Sequence, residues 1–120
     1  MLARENRLLK AEDFRATMKS GRKISSSHLV VYLKRVPGNA QARFGFVVSK
    51  AVGGAVQRNL VRRRLRHAVR HHLIPAIGFE NSESFDLVVR ALPGAAQLDW
   101  NKLALEVMEA TNKAKGVTAK

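Results

Sequence analysis

The sequence contains no cysteine, so neither disulfides nor thiolate metal sites can hold it together, and cysteine usage says nothing about its compartment. Its core has to form by packing alone. No apolar run approaches the roughly 18 residues of a membrane span, and the opening "MLARENRLLKAEDF" lacks the apolar stretch of a secretory signal. The address expected from this is the cytoplasm. The absence with the largest consequence is of negative charge: no Asp or Glu stands between Asp13 and Glu80, an interval that holds fourteen of the 22 Lys and Arg. Like charges repel and cost stability, and a merely solubilising surface mixes both signs. The interval therefore reads as a surface for a polyanion, either nucleic acid or an anionic membrane.

What is present suits one domain spanning 1–120. At 120 residues and 46% hydrophobic content the chain can build one sizeable core. There is no internal repeat, and the ends, about 1–6 and 113–120, carry no apolar periodicity and are expected to fray. "AEDFRATMK" reads as a short helix ended by Ser20 and Gly21. "HLVVYLKR" (28–35) and "RFGFVVS" (43–49) read as strands on either side of the turn signal "PGN", and are expected to pair as a hairpin. Gly53 and Gly54 precede a basic helix over 56–72, "FDLVVRAL" (85–92) is a further strand, and "PGAAQ" a loop. Asp99 is placed to cap a last helix beginning at Trp100, with Leu98 and Leu103 as a hydrophobic staple. The order predicts an α+β, two-layer sandwich: a small mixed β-sheet with helices packed on it.

The segment "RNLVRRRLRHAVRHH" (58–72) carries six arginines and three histidines and no acid. Wound at about 100° per residue, Val61, Leu65, Ala68 and Val69 fall in one sector suited to packing on the sheet. With Val56 at zero, Asn59, Arg62, Arg63, Arg66 and Arg70 fall between about 240° and 340°, beside that stripe. Solvated helix faces usually interleave Glu with Arg, and this one does not. The planar guanidinium fork can hold two phosphate oxygens at once, so nucleic acid is the expected partner. A membrane-surface helix would need large apolar residues free to enter lipid, and here they are assigned to the core.

Other chemistries find little support. His67 and His71 have the four-residue spacing of a zinc pair, but no third ligand is near in sequence and the flanking arginines repel a cation. Ser25, Ser26 and Ser27 precede a strand without a G-x-S-x-G elbow, and paired carboxylates are missing from the basic region. No catalytic or metal-ligating residue is assigned.

"GFVVSKAVGGAVQRNLVRRRLRHAVR" (45–70), with "ENRLLKAEDFRATMKSG" before it and "FDLVVRALPGAA" after it, resembles the signature region of the bacterial ribonuclease P protein subunit, over roughly residues 5 to 112. The resemblance implies a subunit that binds a catalytic RNA, which cleaves the 5′ leader from precursor tRNA with Mg2+ bound by that RNA and no cofactor on the protein. It implies a β-α-β unit with a left-handed crossover, as in a domain of a small-subunit ribosomal protein, where the general rule would demand a right-handed one. Arg58 and Asn59 match the first two positions of the family's Arg-Asn-Arg motif, and Leu60 replaces the third. Arg62, Arg63 and Arg66 match the basic positions that follow, and Arg70 and Lys50 are expected to join them on the RNA.

The family's leader cleft lies between the first helix, the sheet and the basic helix. Phe14 and Tyr32 match two of its aromatic positions, and Met18 stands where a second aromatic is common. By spacing alone Phe14 and Met18 equally suit an ordinary core pair. Tyr32 alternates onto the strand face of Val30 and Lys34, a composition suited to a nucleotide platform. Sulfate or phosphate is expected to bind the basic helix. A structural ribosomal-type RNA-binding protein shares the helix but would have no use for the cleft. A DNA regulator is disfavoured because no helix-turn-helix pairing is visible.

Overall fold

The computed structural model describes residues 7–36, 42–73 and 85–115. Helix α1 (Ala11–Ser20) is followed by β1 (Arg22–Ser25), β2 (Leu29–Arg35) and β3 (Arg43–Val47). A 3-10 turn at Lys50–Val52 leads into α2 (Ala55–Ala68), which ends in a π turn, Val69–Leu73. Strand β4 (Phe85–Ala91), a 3-10 turn at Ala95–Gln97 and α3 (Trp100–Ala114) complete the described chain.

The four strands form one mixed sheet in the order β1-β2-β4-β3. β2 pairs antiparallel with β1 and β4, and among the described strands β3 pairs in parallel with β4. The expected hairpin between 28–35 and 43–49 does not form. The short strand Arg22–Ser25, whose one apolar residue offers no alternation to read, takes one side of β2. The seven-residue β4 takes the other and separates β2 from β3. β3, α2 and β4 are the expected β-α-β unit.

Alternation decides which face each strand residue serves. Leu29, Val31 and Leu33 of β2, Phe44 of β3, and Phe85, Leu87, Val89 and Ala91 of β4 form the larger core. Val61, Leu65 and Val69 of the basic helix and Leu103, Val107, Ala110 and Ala114 of α3 close it. Phe44 meets Phe85 edge-to-face at 6.0 Å. The opposite face is not left open: Val30, Tyr32 and Val88 pack with Leu8, Phe14 and Met18 under α1. Leu8 holds that cover in place by donating its N–H to the Phe44 carbonyl at 2.8 Å, extending the free edge of β3.

Several local expectations change. Asp99 occupies the position before α3 but makes no side-chain cap; its carbonyl accepts the first helical bond, from Leu103 at 2.9 Å. Leu98 and Leu103 do share the larger core, as a staple would. Gly53 has φ of 155° at the entry to α2, and the Gln57 side chain accepts the Gly54 N–H at 3.3 Å. α3 runs through Lys113 and Ala114; residues 1–6, 116–120 and the "PGN" turn, on which the expected flexible ends and turn largely fall, lie outside the described residues.

Candidate nucleic-acid interface

Helix α2 separates its side chains as its periodicity requires. Val61, Leu65, Ala68 and Val69 are buried against the sheet, whereas Asn59, Arg63, Arg66 and Arg70 are exposed and Arg58 and Arg62 half-buried. Arg62 is held in place: one Nη donates to Asn59 Oδ1 at 3.0 Å and the other to the Val48 carbonyl at 3.4 Å. Asn59 thus positions an arginine as well as standing on the face itself. Lys50 is exposed at the start of the turn that feeds the helix.

The outer edge of β3, bridged at Phe44 by Arg7 and Leu8, borders a cleft of about 360 Å³. One wall is the segment Arg7–Leu9 with the ring of Phe14, the floor is Phe44, Gly45 and Phe46, and the other wall is Arg62 and Arg66. A groove with apolar rings on one side and guanidinium groups on the other is chemically suited to a single strand, whose bases stack while its phosphates pair with arginine. Gly45 makes the floor shallow enough for Phe14: a Cβ there would fall 2.5 Å from the ring's Cζ and 3.1 Å from Leu8 Cβ.

Of the residues expected in the leader cleft, Phe14 lines it. Met18 and Tyr32 belong to the apolar cluster that carries Phe14, and Tyr32 is only 6% exposed. The strand face of Tyr32 and Val30 is covered by α1 and Leu8 instead of standing open beside Lys34. Phe46 was not singled out by sequence reasoning, because a Phe in an apolar strand reads as core; it is half-buried and reaches the cleft because β3 is an edge. Alternation within a strand carries no signal of whether that strand ends up at an edge.

Two of the nearby carboxylates, Asp86 and Asp13, are engaged by one arginine. Arg43 grips Asp86 with two bonds of 2.8 Å, Nε to Oδ1 and Nη2 to Oδ2, and its Nη1 reaches Asp13 of α1 at 3.4 Å. The Arg43 pKa is raised, chiefly by the hydrogen bond to Asp86. This pair is in register across β3 and β4, so the sheet itself aligns the fork with its acceptor. Asp86 is therefore charge-paired in place, and Asp13 shares the same guanidinium through a longer contact. At the other end of the sheet Glu106 of α3 accepts from Ser26 Oγ at 2.6 Å and from the His28 N–H at 2.8 Å, with the His28 ring 3.0 Å away.

Among the described residues no group of three or more His, Cys, Asp or Glu is placed to share a metal ion. His67 and His71 lie with ring centroids 4.3 Å apart. No described helix is long and apolar enough to cross a membrane.

The family signature described as Ribonuclease P matches residues 2–115, nearly the whole chain. The chain belongs to the ribonuclease P protein family. It is 43% identical over an alignment of 126 positions to the ribonuclease P protein component of Streptomyces avermitilis, covering 97% of each chain. Against the ribonuclease P protein component of Clavibacter michiganensis it is 40% identical over 114 residues, covering 95% of this chain and 96% of the other. The RNase P protein structure of Staphylococcus aureus superposes with a TM-score of 0.77 at 25% identity, covering 94% of this chain and 98% of that one. Membership makes this a ribonuclease P protein component and removes the static ribosomal-type scaffold as the better reading. For a ribonuclease P protein the cleft along β3 and the acid-free face of α2 are the two surfaces to interpret.

Proposed function

We propose that the protein acts as the RNA-binding subunit of a cytoplasmic ribonucleoprotein that removes the 5′ leader of precursor tRNA. The observation that carries this reading is the cleft in which Phe14 and Phe46 face Arg62 and Arg66. Stacking of a base on an aromatic ring contributes about 1–3 kcal/mol and tolerates any base, which suits leaders of unrelated sequence. The guanidinium forks hold the adjoining phosphates and set the strand's position. Met18 and Tyr32 support Phe14 from beneath.

The outer face, Arg58, Asn59, Arg63 and Arg70 with Lys50, is assigned to the catalytic RNA, and Arg62 and Arg66 stand between that face and the cleft, where both RNAs meet. Phosphate contacts there release counterions, so the protein substitutes for part of the cation atmosphere that the RNA otherwise needs to fold. The chemistry is assigned to the RNA and the Mg2+ it binds, with no cofactor on the protein. Free sulfate or phosphate occupies the same face and stabilises the fold by mass action. Leu60, where the family motif has its third arginine, contributes no phosphate contact.

The test is cleavage of a precursor tRNA by a bacterial ribonuclease P RNA at low magnesium, with and without the protein. It is repeated on a substrate whose leader is trimmed to one nucleotide. Stimulation that shrinks with the trimmed leader is the expected result. Tight RNA binding with no stimulation would overturn the reading.

A further inference from the structure

Helix α2 has a second flank that the cleft does not use. On the same angular scale Arg62 and Arg66 sit at about 240° and 280°, while Arg64, His67 and His71 sit at about 80°, 20° and 60°. This other flank meets the start of α3 at Trp100. The indole is 41% exposed although it has neighbours on α2: the His67 ring lies 4.8 Å from it and the Arg64 Cζ 5.9 Å. Arg64 is fixed there, because its Nη1 donates to the carbonyls of Ala96 at 3.2 Å and Leu98 at 3.0 Å. His71 stacks on His67 in turn, and His72 shares with Trp100 a small hollow of about 50 Å³.

An indole is the largest apolar side chain, and leaving it half open beside two imidazoles and an arginine forgoes burial that the core could have used. The α2 side of the indole carries Arg64 and His67 while the rest of the ring stays exposed, and the exposed Arg63 continues the basic run around the helix without an acid. Asp99, exposed beside Trp100 in sequence, is the one carboxylate adjoining it in the chain. A stacking surface rimmed by cations suits a nucleobase whose phosphates lie to either side, and an apolar partner would not call for the rim.

We propose that Trp100, with His67, His72 and Arg64, forms a second nucleotide site that stacks an unpaired base of the catalytic RNA. It is separate from the leader cleft, since the two lie on opposite flanks of α2. The inference rests on the RNA-subunit reading above and adds to it a contact whose occupant is the large RNA and not the leader.

Trp100 is the chain's one tryptophan, so the emission of the intact protein reports this site directly. Titration with a bacterial ribonuclease P RNA, to saturation measured separately by filter retention, should quench that emission about twofold or more and lower its accessibility to acrylamide. A single-stranded leader oligonucleotide should leave both unchanged. Trp100→Leu should weaken binding of the catalytic RNA about five- to a hundredfold, the range expected for losing one stacked base. Trp100→Phe should restore most of it, and circular dichroism and melting should show both variants folded. Unchanged emission at saturating catalytic RNA would overturn the proposal, as would quenching that appears only with precursor tRNA or equally with an acidic polypeptide. Loss of leader-dependent stimulation with this quenching intact would instead overturn the function proposed above and leave the site standing.

Discussion

The ring of Phe14, on α1, lies directly over the backbone of Gly45, on β3, with no room for a methyl group between them. That contact sets the depth of the cleft, because a side chain at 45 would lift the ring off its floor.

Gly45→Ala is therefore expected to cost about 1–3 kcal/mol, the usual penalty for overpacking a fitted site. It should also displace Phe14 into the groove and weaken leader binding. Thermal melting and binding of a leader-bearing precursor tRNA measure the two effects. A variant with native melting and native affinity would refute the contact.

Phe46→Leu keeps an apolar side chain at the edge of β3 but removes the ring. Leader-dependent affinity should fall by up to about 1–3 kcal/mol, while affinity for tRNA lacking a leader stays unchanged. Equal losses on both substrates would assign Phe46 to folding alone.

Arg66→Ala and Arg62→Ala should each lower the slope of log affinity against log salt by about one unit, as expected when one phosphate is no longer neutralised. Arg62→Ala also releases Asn59 and the Val48 carbonyl, so it should be the more disruptive of the two. An unchanged slope in either variant would remove that arginine from the interface.

Asp86 is 5% exposed and Arg43 is its fork-shaped partner. Arg43→Met alone leaves a buried carboxylate unpaired and should destabilise by about 3–5 kcal/mol. Arg43→Met combined with Asp86→Leu should recover most of that loss, since an apolar pair needs no compensating charge. Urea unfolding of the two variants decides the point; a double variant no more stable than the single one would contradict it.

Burial by itself would raise the Glu106 pKa, but the hydrogen bonds from Ser26 and His28 outweigh it and hold the carboxyl below its ordinary value. A depressed folded pKa gives stability that is present above the unfolded value, near 4, and lost as pH falls through the folded one. Glu106→Gln should lower the melting temperature at neutral pH, by about 1–3 kcal/mol in stability for the weakened acceptor. It should also flatten the melting profile below about pH 4. A parallel downward shift at every pH would show that the carboxylate charge is not what the Ser26–His28 turn depends on.

The basic helix is legible in the sequence because its information is local. One turn of α-helix fixes the angular position of each side chain, so the separation of Val61, Leu65, Ala68 and Val69 from the arginines follows from residue order alone. The strands at 29–35, 43–47 and 85–91 are equally local, being apolar runs between turn signals. Their partners are not. Pairing β4 between β2 and β3 is a choice among long-range ladders, and the short strand Arg22–Ser25 carries too little apolar pattern to announce itself.

The same division runs through the interface. Charge pattern and helical period, which depend on neighbours in the chain, determined by sequence alone that α2 would offer a core face beside an arginine face. Only the tertiary structure decided that Tyr32 is covered while Phe46 reaches a cleft, that Arg43 pairs with Asp86 and reaches Asp13, and that Trp100 meets His67. Each depends on which strand becomes an edge and which helix crosses which face, and those are settled by burying the sheet's two sides, a requirement met by residues far apart in the chain.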